Sequence, residues 1–188
     1  MPDKRLILVL GDQLSLENPA LKNASPGDDV VVLAEVAEEA TYVRHNRHKI
    51  ALIFAAMRHF AERLRDRGFQ VIYYRYSDGM ASLETAVSDA LARSGANSVQ
   101  ICEPGEYRLK QALDGWPQSL GVPVDVLDDS RFLASNADFA EWADGRKQLR
   151  MEYFYREMRK RYGVLLEPDG KPAGDKWNYD SENRKGWR

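Results

Sequence analysis

The sequence predicts an α/β fold: a doubly wound, mostly parallel five-stranded sheet, followed by a helical C-terminal connector. Three observations lead there. Short runs that are apolar on both faces recur along the chain, as strands buried on both sides require. The segments between them carry apolar residues at helical spacing. Most of the links are short, so strands and helices alternate as in parallel sheets with crossover helices.

Arg5-Leu6-Ile7-Leu8-Val9-Leu10 is the first strand, closed by Gly11. Val30 to Ala34 repeats the pattern after the turn-rich Ser25-Pro26-Gly27-Asp28-Asp29. The period then changes. Ile50, Ile53, Phe54, Met57, Phe60, Ala61 and Leu64 mark one face of a long amphipathic helix, with Gly68 as its C-cap. Phe69 to Tyr74 is the third strand. Ser82 is placed to cap the next helix, whose buried face is Leu83, Val87, Ala90 and Leu91, and Gly95 ends it. Ser98 to Cys102 is the fourth strand, and a shorter helix is expected over Tyr107 to Gln118. Val122 to Leu127 is the fifth strand, at a sheet edge because Pro123 cannot donate to a ladder.

The α/β domain thus spans about residues 1–130, and residues 131–188 form interdomain helices and a connector. Helices are expected over Asn136 to Ala143 and Gln148 to Tyr162. Met151, Phe154, Tyr155, Met158 and Tyr162 share one face of the second. Arg150, Glu152, Arg156, Arg159 and Lys160 lie opposite, with Glu152–Arg156 and Glu157–Arg161 as i,i+4 pairs. The aromatic stripe needs a partner surface. Pro168, Gly170, Pro172 and Gly174 then break regular structure, and the dense polar and aromatic run Gly174 to Arg184 looks built to pack on something.

Composition sets limits on function. Hydrophobic residues make up 44% and charged residues 30%, ordinary for a globular chain. The single Cys102 rules out an internal disulfide and a cysteine-built metal site, and a reducing, cytoplasmic setting is expected. No apolar stretch of ~20 residues exists, which excludes a transmembrane helix and gives no membrane partner. The net charge of −2 divides unevenly: residues 144–188 hold 12 Lys/Arg against 8 Asp/Glu. The body is acidic and argues against gripping nucleic acid. The basic tail suits either a solvated helix face or phosphate contact.

Ligands of open parallel sheets bind outside the carboxyl ends of the strands. Here those ends are Gly11-Asp12-Gln13-Leu14-Ser15, Glu35-Val36, Arg75 to Asp78, Glu103 to Glu106 and Asp128-Asp129. Gly11 allows close backbone approach, while Asp12 and Gln13 offer acceptors and donors; a plain Asx-type turn fits the same residues. No GxGxxG or GxxxxGK[ST] is present, so the usual phosphate cradles are not written here. An acidic lip repels phosphate and suits a neutral ring ligand with hydroxyls, to which Glu35 and Glu38 can act as acceptors. His45 and His48 have the spacing of a helical metal pair but sit among Arg44, Arg47 and Lys49, which oppose a cation, and no metal site is expected. Cys102 reads as a small buried hydrophobe, and no nucleophile elbow supports hydrolase chemistry.

Several stretches together resemble one family. They are Leu10 to Leu14, Glu35-Val36 with Glu38 to Val43, His48-Lys49-Ile50, Arg150 to Arg156 and Lys176 to Arg184. In that order they are similar to the deoxyribodipyrimidine photolyase-related proteins, the bacterial iron–sulfur cryptochromes and (6-4) photolyases. One departure is Asp175, where the family usually has a second glycine before the Lys/Gln-Trp-Asn. The resemblance implies a two-part, FAD-containing blue-light protein linked to DNA repair or photoreception. An N-terminal α/β antenna domain holds a chromophore of the ribityl-lumazine type. A C-terminal helical domain holds FAD, a four-iron–four-sulfur cluster and the surface for damaged DNA. This chain matches the first part and the connector only. It is therefore expected to be non-catalytic alone, with the FAD-binding helical domain as its partner and DNA reached only through the parent photolyase or cryptochrome. The antenna pocket then falls on Gly11, Asp12, Gln13, Glu35, Glu38, Tyr42 and Ile50, with Glu103 and Tyr107 beside it. Tyr42 and Ile50 would pack the ring, and the basic helix with Trp177 to Arg184 would dock on the helical domain.

Two other readings stay open on the residues. One is a stand-alone nucleotide-binding α/β enzyme, such as a nucleotidyl transferase, which the absent phosphate loops oppose. The other is a protein-interaction module that uses the Met151/Phe154/Tyr155/Met158 stripe and binds no small molecule.

Overall fold

A computed structural model of the chain describes residues 4–179. Residues 180–188, and with them the end of the Gly174 to Arg184 run, lie outside the described residues. Two compact units appear, residues 1–131 and residues 132–188.

The first unit is a five-stranded, all-parallel sheet. Its strands are β1 (Arg5–Leu8), β2 (Val30–Ala34), β3 (Gln70–Tyr74), β4 (Ser98–Cys102) and β5 (Val124–Leu127), in the order β3-β2-β1-β4-β5. The helices are α1 (Pro19–Lys22), α2 (Ala37–Thr41), α3 (Arg47–Arg65), α4 (Leu83–Ser94), α5 (Tyr107–Leu113) and α6 (Trp116–Leu120). The two-residue period of the strands explains the continuous apolar runs. Leu6, Leu8, Val30 and Val32 face one layer with Val87, Leu91, Leu109 and Trp116. Ile7, Val9, Val31 and Leu33 face the other with Leu21, Met57, Phe60 and Leu64. Every residue of β2 is buried because both faces are covered. Asp29, at the entry to β2, accepts from the backbone N–H (3.1 Å) and guanidinium of Arg5, which fixes β1 and β2 side by side.

The edge strands are β3 and β5, in keeping with Pro123 just before β5. The α4 ends behave as expected: Ser82 Oγ accepts from Thr85 N–H at 3.1 Å, and Gly95 closes the helix at φ +68. Other boundaries differ. The single helix expected over 107–118 is two helices, because the chain breaks at Asp114-Gly115 and restarts with Pro117 in the first turn, where a missing N–H costs nothing. The break drives Trp116 into the core at 3% exposure. Helix α3 ends at Arg65, and Gly68 sits two residues past its cap, turning the chain at φ +84 into β3. The short α1 and α2 lie where periodicity offers too few residues to register.

The second unit contains α7 (Asn136–Ala143) and α8 (Met151–Tyr162). The aromatic stripe finds part of its partner within this unit. Phe154 packs edge-on to Phe139 at 5.2 Å and against Trp142 at 5.1 Å, on α7. Arg159 departs from its expected place on the solvated face: it is buried, its guanidinium donating to the carbonyls of Val164 and Leu165 and lying over Trp177 at 5.0 Å. A charged group tolerates this burial because the bent chain after α8 supplies acceptors to it. No helix among the described residues is long and apolar enough to cross a membrane.

Candidate functional site

The sheet order reverses between β1 and β4, so the loops after these strands part and leave a crevice. A cavity of about 260 Å3 opens there. Leu10, Val36, Ile50, Ile53, Phe54 and Leu109 make it mostly apolar. Asp12, Glu39, Tyr42, His45, Lys49 and Glu106 bring polar groups to its wall and mouth.

Of the residues expected at a pocket, four line this cavity: Gly11, Asp12, Tyr42 and Ile50. Gly11 serves packing. A Cβ there would sit 3.0 Å from Ile53 Cγ2 and 3.1 Å from Met57 Sδ, so the bare backbone lets α3 lie close over the end of β1. Asp12 is exposed at the mouth. Tyr42 stands edge-on to His45 at 5.2 Å.

Glu35 is placed differently. Its side chain is fully buried, and its carboxylate faces α3 and β3. Arg58 donates to both oxygens at 2.6 and 2.8 Å, Tyr73 Oη donates at 2.5 Å, and the Tyr76 backbone N–H donates at 2.9 Å. Burial pushes the carboxyl upward. The bonds from Arg58, Tyr73 and Tyr76, with the Arg58 charge, outweigh it and hold the group below its ordinary range. Burial first, and then Glu35, push the Tyr73 phenol up, so it stays a donor at neutral pH. The end of β2 is thereby locked to α3 and β3 beneath the cavity.

Gln13 is likewise buried, and its amide Nε2 donates to the carbonyls of Cys102 at 3.2 Å and Glu103 at 3.0 Å. It staples the β1 loop to the end of β4, holding the two lips of the crevice in register. Glu103 pairs with Lys110, and Tyr107, 72% exposed, accepts from Gln111 at 2.8 Å; neither lines the cavity. The Cys102 thiol is buried and pushed up to about 11 by burial and by Asp129, which leaves it protonated and inert at neutral pH.

Glu38 belongs to a cluster whose centre is Arg108, a residue with no sequence signal. From α5, Arg108 donates to Glu38 at 3.0 Å, Glu39 at 2.6 Å and Glu106 at 3.1 Å, and it covers the Tyr42 ring at 4.6 Å. These contacts join the two walls of the mouth. Residues 37–46 contain no buried side chain, so the ion pairs and the cation–π contact dominate what holds that segment down. Arg108→Ala is expected to speed amide hydrogen exchange of residues 39–45 about tenfold, since partly exposed pairs and a cation–π contact contribute about 0.5–1 kcal/mol each. Unchanged exchange there would show that the segment is held by its apolar contacts.

Sequence comparison places these features in a lineage. The family described as deoxyribodipyrimidine photo-lyase-related protein matches residues 7–188. A (6-4) photolyase of Agrobacterium fabrum is 45% identical over 183 residues, 96% of this chain. This chain spans 36% of the length of that relative. An uncharacterized protein, R852, of Acanthamoeba polyphaga mimivirus is 25% identical over 84% of this chain and 82% of its own length. With the match running from β1 to the last residue, the chain belongs to the deoxyribodipyrimidine photo-lyase-related family.

Proposed function

We propose that the α/β unit is a light-harvesting domain of a photolyase-like flavoprotein and that the cavity at its switch point binds a ribityl-lumazine. The observation that carries this reading is the cavity itself, apolar on most of its wall with polar groups at its mouth. Its volume of about 260 Å3 is small for a dinucleotide and suits a flat bicyclic ring whose hydroxylated tail trails into the mouth. Asp12, exposed at the mouth, suits hydroxyls, while Glu39 and Glu106 are paired with Arg108. Ile50 and Phe54 wall the ring, and Gln13 and Glu35 hold the surrounding loops in place. When bound, the chromophore absorbs near-UV or blue light and passes excitation to a flavin. In this reading FAD, the iron–sulfur cluster and the contact with damaged DNA belong to a helical domain outside these 188 residues.

Titration of the purified chain with ribityl-lumazine, followed by fluorescence quenching, is expected to give saturable binding at micromolar affinity or better. Flavin adenine dinucleotide should compete weakly, because it is larger than the cavity of about 260 Å3. Absence of saturable lumazine binding would overturn the assignment. A second reading has one observation in its favour: the match covers 82% of the mimivirus protein, so a relative of this domain carries little beyond it. There the module would bind its ligand without a helical domain on the same chain.

A further inference from the structure

We propose that the basic cluster Arg44, Arg47 and Lys49, with the aromatic strip beside it on α3, binds single-stranded nucleic acid: the cations take its phosphates and the strip takes a base. The net charge of the α/β unit hides this patch. Residues 40–61 hold Arg44, Arg47, Lys49 and Arg58 and no Asp or Glu, within a body that is acidic as a whole. Arg44, Arg47 and Lys49 are exposed, and none of them forms an ion pair with a described residue. Acids are favoured at the start of a helix, where the dipole is positive and cations are opposed. The first turn of α3 has no acid and carries Arg47, His48 and Lys49 instead. These side chains do not stabilise the helix they stand on, and an anion bound to them offsets that cost.

The cluster continues into a surface that offers more than charge. Arg47, Ile50, Ala51, Phe54, Ala55 and Arg58 recur at intervals of three and four, so they share one stripe of α3, about 16 Å long. They line a shallow groove of about 390 Å3. The Phe54 ring lies 6.0 Å from that of Tyr76, which is 48% exposed. Arg58 closes the far end with its guanidinium already bonded to Glu35, so the unpaired charge sits at the Arg47 end. Cations at one end with open rings beyond them match a single strand, whose phosphates bind the first and whose bases stack on the second. A duplex keeps its bases stacked on one another and offers the patch only phosphates. The strip needs no ligand in the cavity to act.

The test is fluorescence anisotropy of a labelled oligothymidylate of about twelve nucleotides, titrated with the purified chain from about 50 mM salt upward. Oligouridylate, a duplex of the same length and polyglutamate serve as competitors, and thermal melts check that the variants fold. Saturable binding is expected, with the duplex and polyglutamate competing at least about fivefold less well than a single strand. Arg44→Gln/Arg47→Gln should weaken binding about tenfold and lower the salt slope by about 1.4, two phosphate contacts at about 0.7 each. Tyr76→Ala keeps the backbone N–H that Glu35 accepts and should weaken binding about fivefold, the loss of one stacked base, with the salt slope unchanged. Arg63→Gln/Arg67→Gln takes the same charge from exposed side chains at the other end of α3 and should leave binding within about twofold. Absence of saturable binding, or equal losses in the two arginine pairs, overturns the site. Polyglutamate competing as well as a single strand, or Tyr76→Ala binding as wild type does, overturns nucleic acid as the occupant, the former in favour of an acidic protein segment.

Discussion

Glu35→Ala is expected to destabilise the α/β unit by about 3 kcal/mol, a fall in melting temperature of about 10 °C. The carboxylate has no contact with water and receives four hydrogen bonds. Removing it strips the acceptor from Tyr73 and from the Tyr76 N–H. Arg58, half exposed, can turn to solvent, which keeps the loss near the lower end of what breaking a buried pair costs. The effect on ligand binding should be indirect, through the end of β2, because Glu35 is not on the cavity wall.

The same site gives a pH signature. The folded carboxyl titrates below its ordinary value of 4.5, so its contribution is complete above that value in the unfolded chain and is lost as pH falls through the lowered folded value. The stability difference between wild type and Glu35→Gln should therefore be constant from pH 8 to about pH 5 and should shrink below pH 4.5. Chemical denaturation at a series of pH values measures it. A difference independent of pH down to pH 3 would mean that the folded carboxyl is not held below its ordinary range.

The strands were legible because burial on both faces leaves a local mark: Leu6 to Val9 and Val30 to Leu33 are apolar without interruption, and the structure divides them residue by residue between two helix layers. The edge position of β5 followed from one proline. The pocket location followed from the rule for parallel sheets, and Tyr42 and Ile50 from a family resemblance. What could not be read was long-range. The carboxylate at the end of β2 looks the same in sequence whether it meets ligand or Arg58, 23 residues away. Arg108 reaches Glu38 across 70 residues, and nothing near position 108 announces it. Arg159 shows the limit of helical periodicity, since the spacing put it on a polar face and the returning chain then buried it. Glu35, Arg108 and Arg159, like the amide of Gln13, have partners fixed only by the tertiary fold.

Ile50→Trp tests the cavity most directly, and it should weaken lumazine binding about 100-fold while leaving the melting temperature within about 2 °C of wild type. Ile50 stands in the first turn of α3, half-buried, with its side chain on the cavity wall. An indole at this position can enter the cavity that the chromophore would occupy. Filling it adds buried contact and strains little of the core, because the side chain it replaces is not fully enclosed. The ligand must then displace the indole, at a cost of about 3 kcal/mol, which corresponds to about 100-fold in affinity. Leu52→Trp supplies the matched control. Leu52 lies two residues on, 70% exposed and away from the cavity, so the same added bulk should leave binding within about twofold of wild type. If Ile50→Trp binds as wild type does, the ligand sits elsewhere. If both variants lose binding, the loss reports a disturbed α3, and the cavity carries no special weight. A loss confined to position 50 requires the ligand to lie in the cavity beside α3, at the ends of β1 and β2 and against the loop after β4.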